Sequence, residues 1–189
     1  MLTGKGSKDK KFCTENSFAT GHDAKNAFEK SKQKLFDVNS WTKMEGINST
    51  FILHNNSGKK VSGPAKEGYF IKIELPGAKI ENWVQITDVK TEKDLAEFTV
   101  HPSEKPMKKP EPEAEVKHFF AKEASSTFRV ILEAKTIKAF EIGKNEKINN
   151  NSDEAGNRGL LNTLIAEGGW AGFQKIQWNK LTKYLVHLE

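Results

Sequence analysis

Residues 116–146, VKHFFAKEASSTFRVILEAKTIKAFEIGKNE, decide the fold of this chain. Val116, His118 and Phe120 alternate with Lys117, Phe119 and Ala121, and Phe128, Val130 and Leu132 alternate with Thr127, Arg129 and Ile131. A repeat of two is the pleat of a β-strand, so the stretch predicts three strands, each with one face towards a core. Ala134-Lys135 stands between two of these runs as a two-residue connection, although it lacks the Asn-Gly or Gly-X chemistry of the favoured hairpin turns.

Upstream the same period recurs. Phe51 and Leu53 alternate with Thr50, Ile52 and His54; Ile71, Ile73 and Leu75 with Phe70, Lys72 and Glu74; Val84 and Ile86 with Gln85 and Thr87; Ala96, Phe98 and Val100 with Leu95, Glu97 and Thr99. Such one-sided patterns belong to half-buried antiparallel strands. Asn55-Asn56-Ser57-Gly58 and Pro76-Gly77 punctuate them as turns. Pro102 to Glu115 holds four of the six prolines and little that could enter a core, which predicts a long loop between two strands of one sheet.

Helices flank the strands. Thr20-Gly21-His22-Asp23 has capping-box form, and Ala24, Ala27, Phe28, Leu35 and Val38 recur at helical spacing until Asn39-Ser40, with Trp41 and Met44 following as core anchors. A shorter helix is expected after Asn151, carried by Leu160, Leu161, Leu164 and Ile165. From Trp170 to about Leu188, Trp170, Phe173, Trp178, Leu181, Tyr184, Leu185 and Leu188 fall within an arc of roughly 140° at 100° per residue. Gln174 and Gln177 lie inside that apolar arc and therefore need hydrogen-bond partners. Either the helix start overhangs the sheet and both amides are wet, or Gln174, Gln177 and Trp178 line a pocket opposite His118.

The resulting expectation is α+β: a curved antiparallel sheet of about seven strands wrapped on a long C-terminal amphipathic helix, with an N-terminal helix. Residues 1–15, with Lys5, Lys8, Lys10 and Lys11, are expected as a flexible basic tail holding at most a short edge strand at Lys11–Thr14. Residues 16–189 are expected as a single domain with a Pro-rich loop at 102–115, since 189 residues with 36% hydrophobic content suffice for one core but not for two.

Composition narrows the partners. The net charge of +5 comes from 28 Lys and 2 Arg set against 25 acidic residues. Base and phosphate readers lean on the bidentate guanidinium fork, so no specific nucleic-acid partner is expected. Cys13 is the single cysteine, which forbids an internal disulfide and fits a reducing compartment. No apolar run reaches the roughly 18 residues of a membrane span and no signal-peptide core is visible, so a cytoplasmic location is expected.

Candidate chemistry is sparse. His22, His54, His101, His118 and His187 share no metal-site spacing, and neither a metal nor a cofactor is expected. His118 alternates with Val116 and Phe120, so it is placed on the core side, either as a buried histidine bonded to its neighbours or as a pocket acid, base or ligand contact. Arg129 falls on the opposite face from Phe128 and Val130, which suggests a solvent-facing cross-strand ion pair. Ser125-Ser126-Thr127 has no Gly-x-Ser-x-Gly context. Glu97 and Glu141 could form a carboxylate pair, yet isolated strand glutamates usually face water.

The element order, amphipathic helix with Trp41 after it, strands, then a long final helix, resembles the helix-grip superfamily of START-like, polyketide-cyclase-like and birch-allergen-like domains. The resemblance implies a hollow between sheet and last helix that takes an apolar, lipid-like small molecule. Trp41, His118, Gln174, Gln177 and Trp178 are the candidate ligand-binding residues. The function expected is non-catalytic small-molecule binding. The alternatives are a cyclase- or hydrolase-like enzyme using His118 with a strand carboxylate, or a protein-interaction module with a solid core.

Overall fold

The computed structural model describes residues 8–47, 49–74, 82–106, 123–146 and 170–188. Its elements run β1 (Lys8–Ser17), α1 (Gly21–Phe36), α2 (Val38–Trp41), β2 (Thr50–His54), β3 (Phe70–Glu74), β4 (Asn82–Thr91), β5 (Leu95–Ser103), β6 (Ser125–Glu133), β7 (Thr136–Glu146) and α3 (Trp170–Leu185). The described strands form one antiparallel sheet in the order β1-β7-β6-β5-β4-β3-β2. Strands β2 to β7 meander in sequence, and β1 closes the far side by pairing with β7 along its length. A register shift between Ile86 and Asp88 bulges β4 against β5, a device that bends a strand and curves its sheet.

The period-two reading places the inner face correctly. Phe51, Leu53, Ile71, Val84, Ile86, Ala96, Phe98, Val100, Phe128, Val130, Ile137 and Ala139 are buried in one cluster with Phe28 and Leu35 of α1 and Leu181 and Leu185 of α3. Helix α1 starts as its capping box predicts: Thr20 has extended backbone and its hydroxyl accepts from the Asp23 amide at 3.0 Å. It lies over β6, α3 lies over β1 and β7, and the two helices touch. The Lys34 ammonium donates to the Tyr184 carbonyl at 2.8 Å, and His187 Nε2 lies 3.1 Å from the buried Ser31 hydroxyl.

Several expectations need correction. The basic tail gives way to strand from Lys8, because Lys10, Phe12, Thr14 and Asn16 alternate inwards and find partners, whereas Lys11, Cys13, Glu15 and Ser17 face solvent. Helix α1 stops at Phe36 rather than at Asn39-Ser40; Asp37 leaves helical geometry at φ −86° and ψ 68°, and the chain restarts as the single turn α2. Pro102 lies inside β5 opposite Val84 and is buried, so the segment expected to loop from Pro102 begins its life as strand. Beyond it, β5 and β6 are direct neighbours, so the sheet is continuous across the Pro-rich segment. Helix α3 ends at Leu185, and Leu188, placed in the apolar arc by the helical wheel, is 46% exposed.

The Ala134-Lys135 turn joins β6 to β7 as the alternation indicates. Ala134 holds a positive φ of 55°, which the turn demands and a Cβ resists. The strand expected at Val116–Ala121, the turn at Pro76-Gly77 and the helix after Asn151 lie outside the described residues. Among the described residues no helix is long and apolar enough to cross a membrane.

Candidate functional site

Helix α3 lies over the inner face of β1 and β7. Residue β7 Glu141 stands on the inner face with Ile137 and Ala139, directly across from Phe12 of β1 and Phe128 of β6. Trp178 of α3 reaches over Phe128, ring centroids 5.4 Å apart, and on towards Phe51 of β2 at 6.4 Å. One helical turn earlier Gln174 points towards β1 and β7, because residues four apart share a helix face.

Both glutamines flagged by the helical wheel are buried, Gln174 at 2% and Gln177 at 4% exposure, which rejects an overhanging helix start. Gln174 accepts from the Lys10 ammonium and donates to the Glu146 carboxylate at 3.1 and 3.2 Å. Lys10 in turn lies 3.4 Å from Glu146. Gln177 accepts at 3.0 Å from the hydroxyl of Ser49, itself buried. These contacts tie the first strand, the last strand and the β2 entry to one stretch of α3.

Trp41 is a core anchor. Its indole N–H donates to the Lys34 carbonyl at 3.0 Å, and its ring packs on Phe51, Phe98 and Phe128 at centroid separations of 5.6, 6.0 and 5.0 Å. Trp41 and Trp178 therefore flank Phe128 from two sides. His118, the other candidate, lies outside the described residues.

Sequence reasoning underrated Glu141. Its side chain is fully buried; neither carboxyl oxygen meets full hydrogen-bond geometry, although the Ser126 hydroxyl is close enough to act on it. Burial pushes the carboxyl up from 4.5 to about 8, and the nearby Glu146 charge adds to this. The Ser126 hydroxyl, diagonal to it on β6, and the Lys10 ammonium pull the other way without restoring ordinary acidity. At neutral pH the group is thus mostly protonated, able to donate one hydrogen bond and to accept others. Trp178 Nε1 is a second buried polar atom without a partner. The signal for Glu141 was its alternation with Ile137 and Ala139.

Glu97 does not join Glu141. It lies opposite Arg129 on the outer face and pairs with that guanidinium, as the reading of Arg129 anticipated, whereas Glu141 faces inwards. His54 sits at the other end of the sheet, its ring edge-on to Trp83 at 4.8 Å. Among the described residues no three His, Cys, Asp or Glu gather as a metal site would require.

Neither a protein-family model nor a curated protein matches the sequence. Solved structures do match in shape. A hypothetical protein from Helicobacter pylori superimposes with a TM-score of 0.56 at 12% identity, covering 97% of this chain and 90% of that one. Ginseng major latex-like protein 151 from Panax ginseng follows with a TM-score of 0.42 at 12% identity over 89% of this chain and 95% of its own. A Thalictrum norcoclaurine synthase point mutant in complex with a transition-state analogue gives 0.41 at 12% identity, covering 97% and 98% of the two chains. At such identities the likeness concerns the fold alone, and the two plant structures overlap too loosely to add to it. With seven described antiparallel strands curved over a C-terminal helix and a helix between the first two of them, the chain has the helix-grip architecture that its element order suggested.

Proposed function

We propose that this chain binds an apolar small molecule between the inner face of its sheet and α3, without itself carrying out chemistry on it. The observation that carries the reading is Glu141: a fully buried carboxyl on the inner face between Phe12 and Phe128, with only the Ser126 hydroxyl among the described residues to serve it. Trp178 Nε1, buried without a partner, is a second polar feature on this side of the sheet, and an unmet buried donor costs about 1 to 3 kcal/mol. The walls around it are aromatic, which suits an apolar body with a small polar feature. Gln174 and Gln177 act here as braces that fix α3 at the right height, while Trp178 contacts the ligand directly and Trp41 supports Phe128 from behind.

Native mass spectrometry of the freshly purified full chain, followed by titration of the stripped protein with an apolar fluorescent dye, tests the reading. A co-purifying mass or saturable one-to-one dye uptake, weakened by Trp178→Ala, is the expected result. No bound mass together with no saturable uptake would overturn it.

A further inference from the structure

A bulge in β7 gathers charge beneath the start of α3. Along a regular strand Glu141, Gly143 and Asn145 would share the inner face and Glu146 would turn outwards. Asn145 instead holds a φ of 53°, and the pairing with β1 shifts register there, Lys10 standing opposite Gly143 and Lys8 opposite Glu146. The extra residue returns Glu146 to the inner face. Its carboxylate folds back over Gly143, into the place a Cβ on that residue would take, which brings it one pleat from Glu141. There the Glu146 side chain is 4% exposed, 3.4 Å from the Lys10 ammonium and 3.1 and 3.2 Å from Gln174 Nε2. Lys10 also donates to Gln174 Oε1, so a buried ion pair holds this turn of α3 to the sheet.

The helix is fastened unevenly. From Leu181 onwards Thr182 bonds Thr14, the Tyr184 and Val186 carbonyls accept from Lys34 and Asn16, and His187 meets Ser31, while Leu181, Leu185 and Val186 are fully buried. From Gln174 to Lys180 the polar ties among the described residues are the Gln174 cluster, Gln177 to Ser49, and a 3.4 Å bond from Lys180 to the Glu45 carbonyl; Ile176 is exposed.

We propose that Glu141 works a proton-dependent latch: with its proton in place residues 174–180 are seated on β1 and β7, and loss of the proton frees this stretch while residues 181–187 stay attached. The groups facing Glu141 set the direction. Glu146 comes from its own strand and Lys10 from β1; β6 offers the Ser126 hydroxyl, α3 buries the uncharged Gln174 and Gln177, and α1 buries Ala24, Phe28, Ser31 and Leu35. Ionised Glu141 would set two carboxylates against one ammonium away from water, and lifting Gln174 lets water in. Burial pushes the Glu141 carboxyl up from 4.5 to about 8, and the Glu146 charge adds to this. The seated form therefore prefers the proton: its advantage is complete below about 4.5 and is lost as pH rises to about 8. The latch operates with or without a ligand beneath α3.

Hydrogen exchange of the full chain read by mass spectrometry, corrected for the intrinsic effect of pH on amide exchange, tests the latch at about pH 6 and about pH 8. Residues 174–180 are expected to lose at least about tenfold in protection between the two, within the roughly hundredfold that one proton allows over that span, while β5 and β6 keep theirs. Glu141→Gln, which cannot ionise, is expected to keep 174–180 protected at both. Gly143→Ala displaces the end of a flexible side chain rather than backbone, draws Glu146 away from Gln174, and is expected to speed exchange of 174–180 already at the lower pH. An equal loss of protection in helix and sheet would overturn the latch in favour of a change in global stability. A loss that persists in Glu141→Gln would overturn the role of Glu141, and wild-type exchange in Gly143→Ala that of Glu146. Unchanged protection of 174–180 in the wild type would overturn the proposal outright and leave the reading of the chain as a binder untouched.

Discussion

Thr14 and Thr182, 168 residues apart in sequence, share a 2.7 Å hydrogen bond that joins the first strand to the last helix. Because the Thr182 hydroxyl also donates to the Asn179 carbonyl at 3.1 Å, Thr14 serves as the donor between them. Thr182 is fully buried, so this bond is shielded from water. Thr182→Val keeps the shape, leaves the Thr14 hydroxyl half-buried and unpaired, and is expected to cost about 1 to 2 kcal/mol. The Thr14→Val/Thr182→Val pair should cost less than the sum of the single changes; urea denaturation of all four proteins measures the coupling.

Glu141 gives the stability a pH dependence with a definite sign. Its carboxyl is held up at about 8 in the fold against 4.5 as a free group, chiefly by burial and then by Glu146. The folded state therefore prefers the proton. This contribution is fully present below about 4.5, declines as pH rises towards 8, and is flat above that, with a slope of up to about 1.4 kcal/mol per pH unit in between. Glu141→Gln, which cannot ionise, should lose that slope. Urea midpoints of the two proteins measured between about pH 5 and pH 8 should diverge with rising pH, the variant ahead at the alkaline end.

Ala134 is expected to improve on replacement. At φ 55° its Cβ crowds the backbone, a penalty that glycine escapes. Ala134→Gly should stabilise the β6–β7 hairpin by about 0.5 to 1 kcal/mol, net of the greater freedom of glycine in the unfolded chain. A raised melting temperature with unchanged dye uptake is the expected result.

Gln177 and Ser49 should behave as a unit. Gln177→Leu alone leaves the buried Ser49 hydroxyl without its acceptor and is expected to cost about 1 to 3 kcal/mol. Adding Ser49→Ala removes the orphaned group and should recover a measurable part of that loss in chemical denaturation.

The legibility of the fold followed the chemistry of each inner face. Where inward residues are apolar, as at Phe51, Ile86, Phe98 and Val130, a repeat of two marks both strand and face. Strand β1 was largely hidden because its inward residues include Lys10, Thr14 and Asn16, which find hydrogen-bond partners in Gln174, Thr182 and the Val186 carbonyl and carry no hydropathy signal. The candidate site shows the same divide. Gln174 and Gln177 stood out as polar residues in an apolar arc, yet their partners, Lys10 and Ser49, lie 164 and 128 residues away. Glu141 was discounted because strand carboxylates usually face water, although its alternation with Ile137 and Ala139 put it on the inner face. Trp41 was placed in the core correctly, but whether a core aromatic supports a site or belongs to it depends on neighbours such as Phe128.

The sheet order has a consequence for how the protein comes into being. A chain leaving the ribosome can add β2 through β7 in turn, each pairing with the one just made. Strand β1, made before the other described strands, must wait until β7 exists before it gains a neighbour, and its inward Lys10, Thr14 and Asn16 wait longer still for α3 and the residue after it. During synthesis the nascent chain thus trails an early strand with an open edge, the kind of segment that chaperones hold or that neighbouring copies capture.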